Sequence, residues 1–162
     1  MDNFTTADLC DRFASSVNLQ IAEPQLKTYG AKHSFSGAIT TIKVFENNAM
    51  VKTVLQESGT GRVMVIDGGG SHRCALFGAD LAKIALDNNW QGIVVYGCIR
   101  DADAINQLPI GLRALHTHPL ISNKSGLGDR DQLITFAGVN FKKDHFLYAD
   151  NDGIIVSETL LR

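Results

Sequence analysis

The sequence is poor in the residues that staple, kink or anchor a chain, with three cysteines and three prolines among 162 residues. Cys10, Cys74 and Cys98 are odd in number and show neither CxxC nor CxxxC spacing, which argues against a disulfide framework or a zinc cage and for small reduced thiols. No apolar run approaches the roughly 18 residues that a membrane span needs. The opening stretch MDNFTTADLCDRF carries acids where a secretory signal needs positive charge, and no apolar segment follows it. Basic excess is missing as well. Fifteen Lys and Arg against 17 Asp and Glu give a formal charge of −2, which leaves no positive field to grip a phosphate backbone. Neither nucleic acid nor a membrane is therefore expected as a direct partner, and a cytoplasmic protein is expected.

What is present is the makings of one α/β domain. Apolar residues make up 44% and charged residues 20%, an ordinary globular balance. A chain of this length can bury about 70% of its unfolded surface, so residues 1–162 are read as a single domain. TTADLCDRFAS predicts a short N-terminal amphipathic helix with a threonine cap. SGAITTIKVFE alternates β-branched residues and predicts a strand. NNAMVKTVLQES predicts an asparagine-capped helix stopped by Gly59. GRVMVIDGGG predicts a buried strand running into glycines, and RCALFGADLAKIALDNN predicts a helix with Ala75, Leu76, Ala79, Ala82 and Leu86 on its apolar side. WQGIVVYG predicts the next strand, so the order βαβ implies a parallel crossover whose turns lie at the carboxyl ends of the strands. After residue 110, short strands alternate with Gly, Asp and Asn turns, which predicts a β-rich second half.

Two turns could carry chemistry. DGGGS, residues 67–71, sits between a strand and a helix, where glycines allow close approach of a ligand and helix amides favour an anion. It matches neither GxGxxG nor GK[ST], so a tight turn is the plainer reading. At the same sheet end, CIRD closes a strand with Arg100 and Asp101. A guanidinium is a planar fork for a carboxylate, and an aspartate oxygen is a hard ligand suited to Mg²⁺ or Mn²⁺. A solvated Arg–Asp pair is the plainer alternative. Other candidates read as structural. His116 and His118 alternate on one strand face without a third metal ligand. His72 follows the loop serine. Lys83 is expected to pair with Asp87 one helical turn on, which argues against a Schiff-base role. The aspartates of GLGDRD read as a solvated loop.

The series VMVIDGGGSHRCALFGADLAKIALDNNWQGIVVYGCIRDADAI, with LPIGLRAL after it, LCD near the start and YADNDGIIV near the end, resembles the family of the regulator of ribonuclease activity A and the metal-dependent 4-hydroxy-4-methyl-2-oxoglutarate aldolases. The resemblance covers nearly the whole chain. It implies a three-layer swivelling β/β/α domain with mixed sheets, assembled as a homotrimer with sites at subunit boundaries. It also implies that Arg100 binds a pyruvate moiety, that Asp101 holds a divalent cation largely through water, and that Gly78, Ala79, Asp80 and Leu81 add substrate contacts. Retro-aldol cleavage to pyruvate and decarboxylation of oxaloacetate would then share one enolate. Many aldolases of the family carry an acid where this chain has Ala79, which predicts a poorer metal shell. Regulators of the family can lack the aspartate that this chain keeps at 101, so RD favours a lyase, and a non-catalytic inhibitor binding ribonuclease E is the alternative.

Overall fold

A computed structural model describes residues 3–15, 18–124 and 126–162. The elements are α1 (Thr6–Phe13), β1 (Leu19–Ile21), β2 (Lys27–Tyr29), β3 (Phe35–Lys43), α2 (Ala49–Leu55), β4 (Arg62–Asp67), β5 (Ala75–Phe77), α3 (Ala79–Asp87), β6 (Gly92–Ile99), α4 (Ala102–Asn106), β7 (Leu112–Thr117), β8 (Asp129–Arg130), β9 (Ile134–Phe136), β10 (Val139–Phe141), β11 (Phe146–Asp150) and β12 (Gly153–Ser157). The main sheet runs β1-β12-β11-β3-β4-β6-β7-β2, with β5 added to β6 and β8 to β3. Its centre, β3-β4-β6-β7, is parallel, and its flanks are antiparallel. This is the expected mixed α/β architecture.

Strand alternation sorts the apolar residues into two cores. Met64, Ile66, Ile93 and Val95 point to one face, where they meet Val51, Val54 and Leu55 of α2 and Ala82 and Ala85 of α3. Val63, Val65 and Val94 point to the other, against Ile134, Phe136, Val139 and Phe141 of the β9–β10 hairpin. Successive strand residues serve opposite faces, so the fully buried β4 reads as an unbroken apolar run and yet holds two layers apart. A third cluster seats α1 on the sheet through Leu9, Tyr148, Ile155 and Leu161. Thr5 caps α1 as expected, its hydroxyl accepting from the Asp8 amide at 3.1 Å. No helix among the described residues is long and apolar enough to cross a membrane.

Three local expectations are corrected. The long helix read over 73–89 splits, since Ala75–Phe77 form β5 and α3 begins at Ala79. Ala75, Leu76 and Phe77 are all buried, and an apolar run buried on every side has no period that separates strand from helix. Asn48 does not cap α2 through its side chain; its amide nitrogen donates instead to the Leu76 carbonyl at 3.2 Å. Gly59 does not stop α2 by a left-handed turn. It is required because a Cβ there would enter the indole of Trp90, whose Nε1 donates to the Leu55 carbonyl at 3.0 Å and whose ring is covered by the Arg62 guanidinium.

Candidate functional site at the end of strand β6

The glycine turn and the RD pair leave the sheet at the same end but reach different places. β4 pairs with β6 only as far as Asp67 opposite Tyr96. Beyond that point β6 is taken up by β5, with Ala75 opposite Cys98 and Phe77 opposite Ile99. The handover carries β6 past Gly97 and delivers Arg100 to the corner where β5 turns into α3, and the Arg100 amide donates to the Phe77 carbonyl at 2.9 Å. The glycine turn stays behind and is closed on itself. Gly68 and Gly70 both donate to the Tyr96 carbonyl, and Gly69 donates to the Asp67 carboxylate at 2.9 Å. Those amides are not free for an anion. The turn is a tight connection, the plainer of its two readings.

At the β5–α3 corner Gly78 lets two side chains close over the backbone. A Cβ at this position would stand 2.8 Å from Asp101 Oδ2 and 3.2 Å from Arg100 Cγ. Asp101 Oδ2 accepts the Ala79 amide at 2.9 Å, while its other oxygen has no hydrogen-bond partner among the described residues. Asp101 itself adopts a left-handed backbone, φ 61° and ψ 39°, at the start of α4. Aspartate tolerates that conformation better than most residues. The Arg100 Nε is shielded from solvent and unpartnered. Arg100 and Asp101 do not pair with each other, so the solvated ion pair is not what the chain builds here.

Arg100 and Asp101 line a cavity of about 390 Å³ together with Gly78, Asp80 and Leu81 of the predicted contact segment. Of that segment, the Ala79 amide is already engaged by Asp101. The amides of Asp80 and Leu81 lie in the first turn of α3, where no carbonyl of their own helix can serve them. The sequence reading missed the opposite contributors, Asn48, Ala49, Lys52 and Thr53 from α2 and Ile121 and Lys124 from the segment after β7. Their only sequence signal is the spacing 49, 52, 53, which is one side of a helix.

The carboxylates of Asp101 and Asp80 set what cation could sit in the cavity. Among the described residues no cluster of three or more His, Cys, Asp or Glu is arranged to hold an ion. The described residues build no tetrahedral all-protein cage. A hard ion that keeps most of its waters and takes one carboxylate oxygen plus substrate oxygens fits this donor set, with the unpartnered oxygen of Asp101 as the ligand and Asp80 on the same cavity wall.

The remaining candidates lie outside the cavity. His116 lies near the end of β7, 3.0 Å from Lys27 Nζ and with its ring 5.0 Å from that of His72. The Lys27 ammonium pushes the His116 pKa down. His118 lies beyond the strand and turns back, its Nδ1 accepting the Leu120 amide at 3.1 Å, so the two histidines do not share a strand face. Lys83 and Asp87 are exposed and do not close the expected pair. In GLGDRD, Asp131 is 3.5 Å from both Arg130 Nε and Lys143 Nζ, an exposed ion-pair group. All three cysteines are free, and burial raises each thiol pKa.

A family model described as RraA-like, Aldolase/RraA, matches residues 6–156. A protein of Methylococcus capsulatus named "Putative 4-hydroxy-4-methyl-2-oxoglutarate aldolase" is 60% identical over 158 residues, covering 98% of each chain. One of Aromatoleum aromaticum with the same name is 51% identical with the same coverage. Two solved structures superpose with a TM-score of 0.94. One, from Geobacillus kaustophilus, is described as an S-adenosylmethionine: 2-dimethylmenaquinone methyltransferase and is 43% identical, covering 98% of this chain and 97% of its own. The other, the RNA-processing inhibitor RraA of Thermus thermophilus, is 38% identical and covers 99% and 96%. One backbone thus carries three functional names, and the site must decide among them. On the family model and these near full-length relatives, the chain belongs to the RraA-like family.

Proposed function

We propose that the chain is a divalent-metal-dependent lyase that cleaves 4-hydroxy-4-methyl-2-oxoglutarate to pyruvate and, as a secondary activity, decarboxylates oxaloacetate. The observation that carries this reading is the arrangement at Gly78. Arg100 presents a buried Nε without a partner, and Asp101 is oriented by the Ala79 amide with its second oxygen left over, both on one cavity. A donor nitrogen shielded from water and left without an acceptor is a costly arrangement unless a ligand supplies one.

Arg100 binds the carboxylate of the pyruvyl part and sets its plane against the cavity wall. Asp101, whose second oxygen the Ala79 amide leaves free, would hold Mg²⁺ or Mn²⁺ largely through water. When bound, the ion supplies positive charge that favours negative charge developing on the keto oxygen as the C–C bond breaks. The amides of Asp80 and Leu81 offer further donors to the substrate. Retro-aldol cleavage and decarboxylation both pass their bonding pair to the same keto oxygen, so one site serves both. The proposal includes a homotrimer with sites at subunit boundaries, a reading supported by the exposed Leu120 and Leu127 that flank Ile121 and Lys124.

The test is pyruvate release followed by a coupled assay with and without EDTA. Release that EDTA abolishes and Mn²⁺ restores is expected. No release under either condition would overturn the lyase reading. A second reading rests on the close superposition with an RNA-processing inhibitor: a non-catalytic regulator that binds ribonuclease E. It predicts capture of ribonuclease E by the wild type and equally by Asp101→Ala.

A further inference from the structure

The cavity holds two cations that the proposed reaction has not used. Lys52 stands on the side of α2 that also carries Ala49 and Thr53, and Lys124 lies in the segment after β7; both line the cavity with Arg100. Their placement is fixed by backbone bonds. The Asn48 amide donates to the Asn123 carbonyl at 3.0 Å, and the Asn123 amide to the Glu46 carbonyl at 3.2 Å, which ties this segment to the entrance of α2. Ala75 donates to Leu120 at 2.7 Å and Ser122 to Ala75 at 2.9 Å, which ties it to β5. The Asn48 side chain on Leu76 closes the third edge.

Neither ammonium has an ion-pair or hydrogen-bond partner among the described residues. Two other surface cations are held close to carboxylates, Arg73 at 2.7 Å from Glu46 and Arg130 at 2.6 Å from Glu57. An isolated exposed lysine needs no partner. Two of them lining one cavity with the Arg100 guanidinium and the acids Asp80 and Asp101 make a site with more positive than negative side chains.

We infer that Lys52 and Lys124 form a distal carboxylate subsite that selects keto acids bearing a second carboxylate and biases the cavity toward retro-aldol cleavage over decarboxylation. This rests on the lyase reading. In the retro-aldol step the C3–C4 bond breaks, its electron pair moves onto C3, C2 and the keto oxygen, and C4 becomes a ketone as its hydroxyl proton leaves for solvent. A proton from solvent later restores C3. The distal C5 carboxylate keeps its charge throughout, so ammonium contacts hold it equally in ground and transition state. In decarboxylation of oxaloacetate the bonding pair moves the same way, but the distal carboxylate itself leaves as neutral CO₂. Contacts to it are then lost on the way to the transition state, which raises that barrier.

The experiment compares 2-oxoglutarate, which keeps both carboxylates and the keto group but lacks the 4-hydroxyl that retro-aldol cleavage needs and the 4-methyl group, with 2-oxobutyrate, which lacks the distal carboxylate. Calorimetric titrations with Mg²⁺ present are run on the wild type, Lys52→Met, Lys124→Met and the double variant, each checked for an unchanged thermal transition. The wild type is expected to prefer 2-oxoglutarate by about tenfold and the double variant to lose most of that preference. Lys52→Arg, which keeps the charge, is expected to retain it. The ratio of kcat/KM for 4-hydroxy-4-methyl-2-oxoglutarate to that for oxaloacetate is expected to fall in the double variant. Equal wild-type affinities for the two keto acids, or a ratio that does not move, would overturn the subsite and leave the lyase reading standing. Binding of neither acid, with no pyruvate released, would overturn both.

Discussion

Replacing Gly78 with alanine perturbs the site without straining the backbone. The residue is extended, φ −145° and ψ −168°, a conformation open to alanine, so the effect is steric. The new methyl would stand 2.8 Å from Asp101 Oδ2 and 3.2 Å from Arg100 Cγ, whereas ordinary contacts begin at about 3.5 Å. Asp101 therefore has to withdraw by about 0.7 Å. Its 2.9 Å bond to the Ala79 amide then lengthens past about 3.2 Å, where such bonds weaken. Asp101 is exposed, so the loss of stability is about 1 kcal/mol. Catalysis is more sensitive, since a displacement on the order of 1 Å at reacting groups costs up to about 100-fold. Gly78→Ala is expected to lower kcat/KM for pyruvate release by roughly tenfold to 100-fold, with urea unfolding little changed. Wild-type turnover in this variant would refute the claim that Gly78 exists to let Arg100 and Asp101 close over the backbone. So would a loss of activity explained fully by unfolding.

Two further predictions concern the scaffold. Gly59→Ala forces a methyl into the Trp90 indole and is expected to destabilise the protein by about 1–3 kcal/mol, read by tryptophan fluorescence in urea; an unchanged midpoint would show that the contact yields freely. Asp150 is a pH-sensitive anchor for α1. Burial alone would raise its pKa, but the Thr6 hydroxyl and amide, with the amides of Asp152 and Gly153, outweigh it and hold the folded carboxyl below its ordinary 3.8. A depressed folded pKa means that the contribution is present above the unfolded value and is lost as pH falls through the folded one. Hydrogen exchange of α1 amides is therefore expected to accelerate below about pH 4, and Thr6→Ala is expected to shift the onset to higher pH; an onset independent of Thr6 would contradict the anchor.

The parallel centre of the sheet was legible because β4 and β6 are long apolar runs with glycine and asparagine turns at their ends. The hairpins of the second half were legible from turn residues. β5 was not, because three buried residues next to a helix carry the helix's own apolar signature, and only the pairing of Ala75 with Cys98 distinguishes them. That short strand matters most for the site, since it takes over β6 beyond Tyr96 and moves Arg100 away from the glycine turn. Arg100 and Asp101 could be placed at a strand's end from the sequence pattern, but their role as a site came from the family resemblance of the surrounding series, since a solvated pair was the plainer reading of the two residues alone. Lys52 and Lys124 could not be found in sequence, since they reach the cavity through backbone bonds between segments about 70 residues apart in sequence.

Lyase activity at this site depends on Asp101 as the proposed anchor of the cation. The most direct measurement is pyruvate release from 4-hydroxy-4-methyl-2-oxoglutarate as a function of Mn²⁺ concentration, for the wild type and for Asp101→Asn, which tolerates the same left-handed backbone and retains an acceptor for the Ala79 amide. The wild type is expected to show saturable activation, and the variant none at matched folding. The same saturable activation in Asp101→Asn would contradict the account.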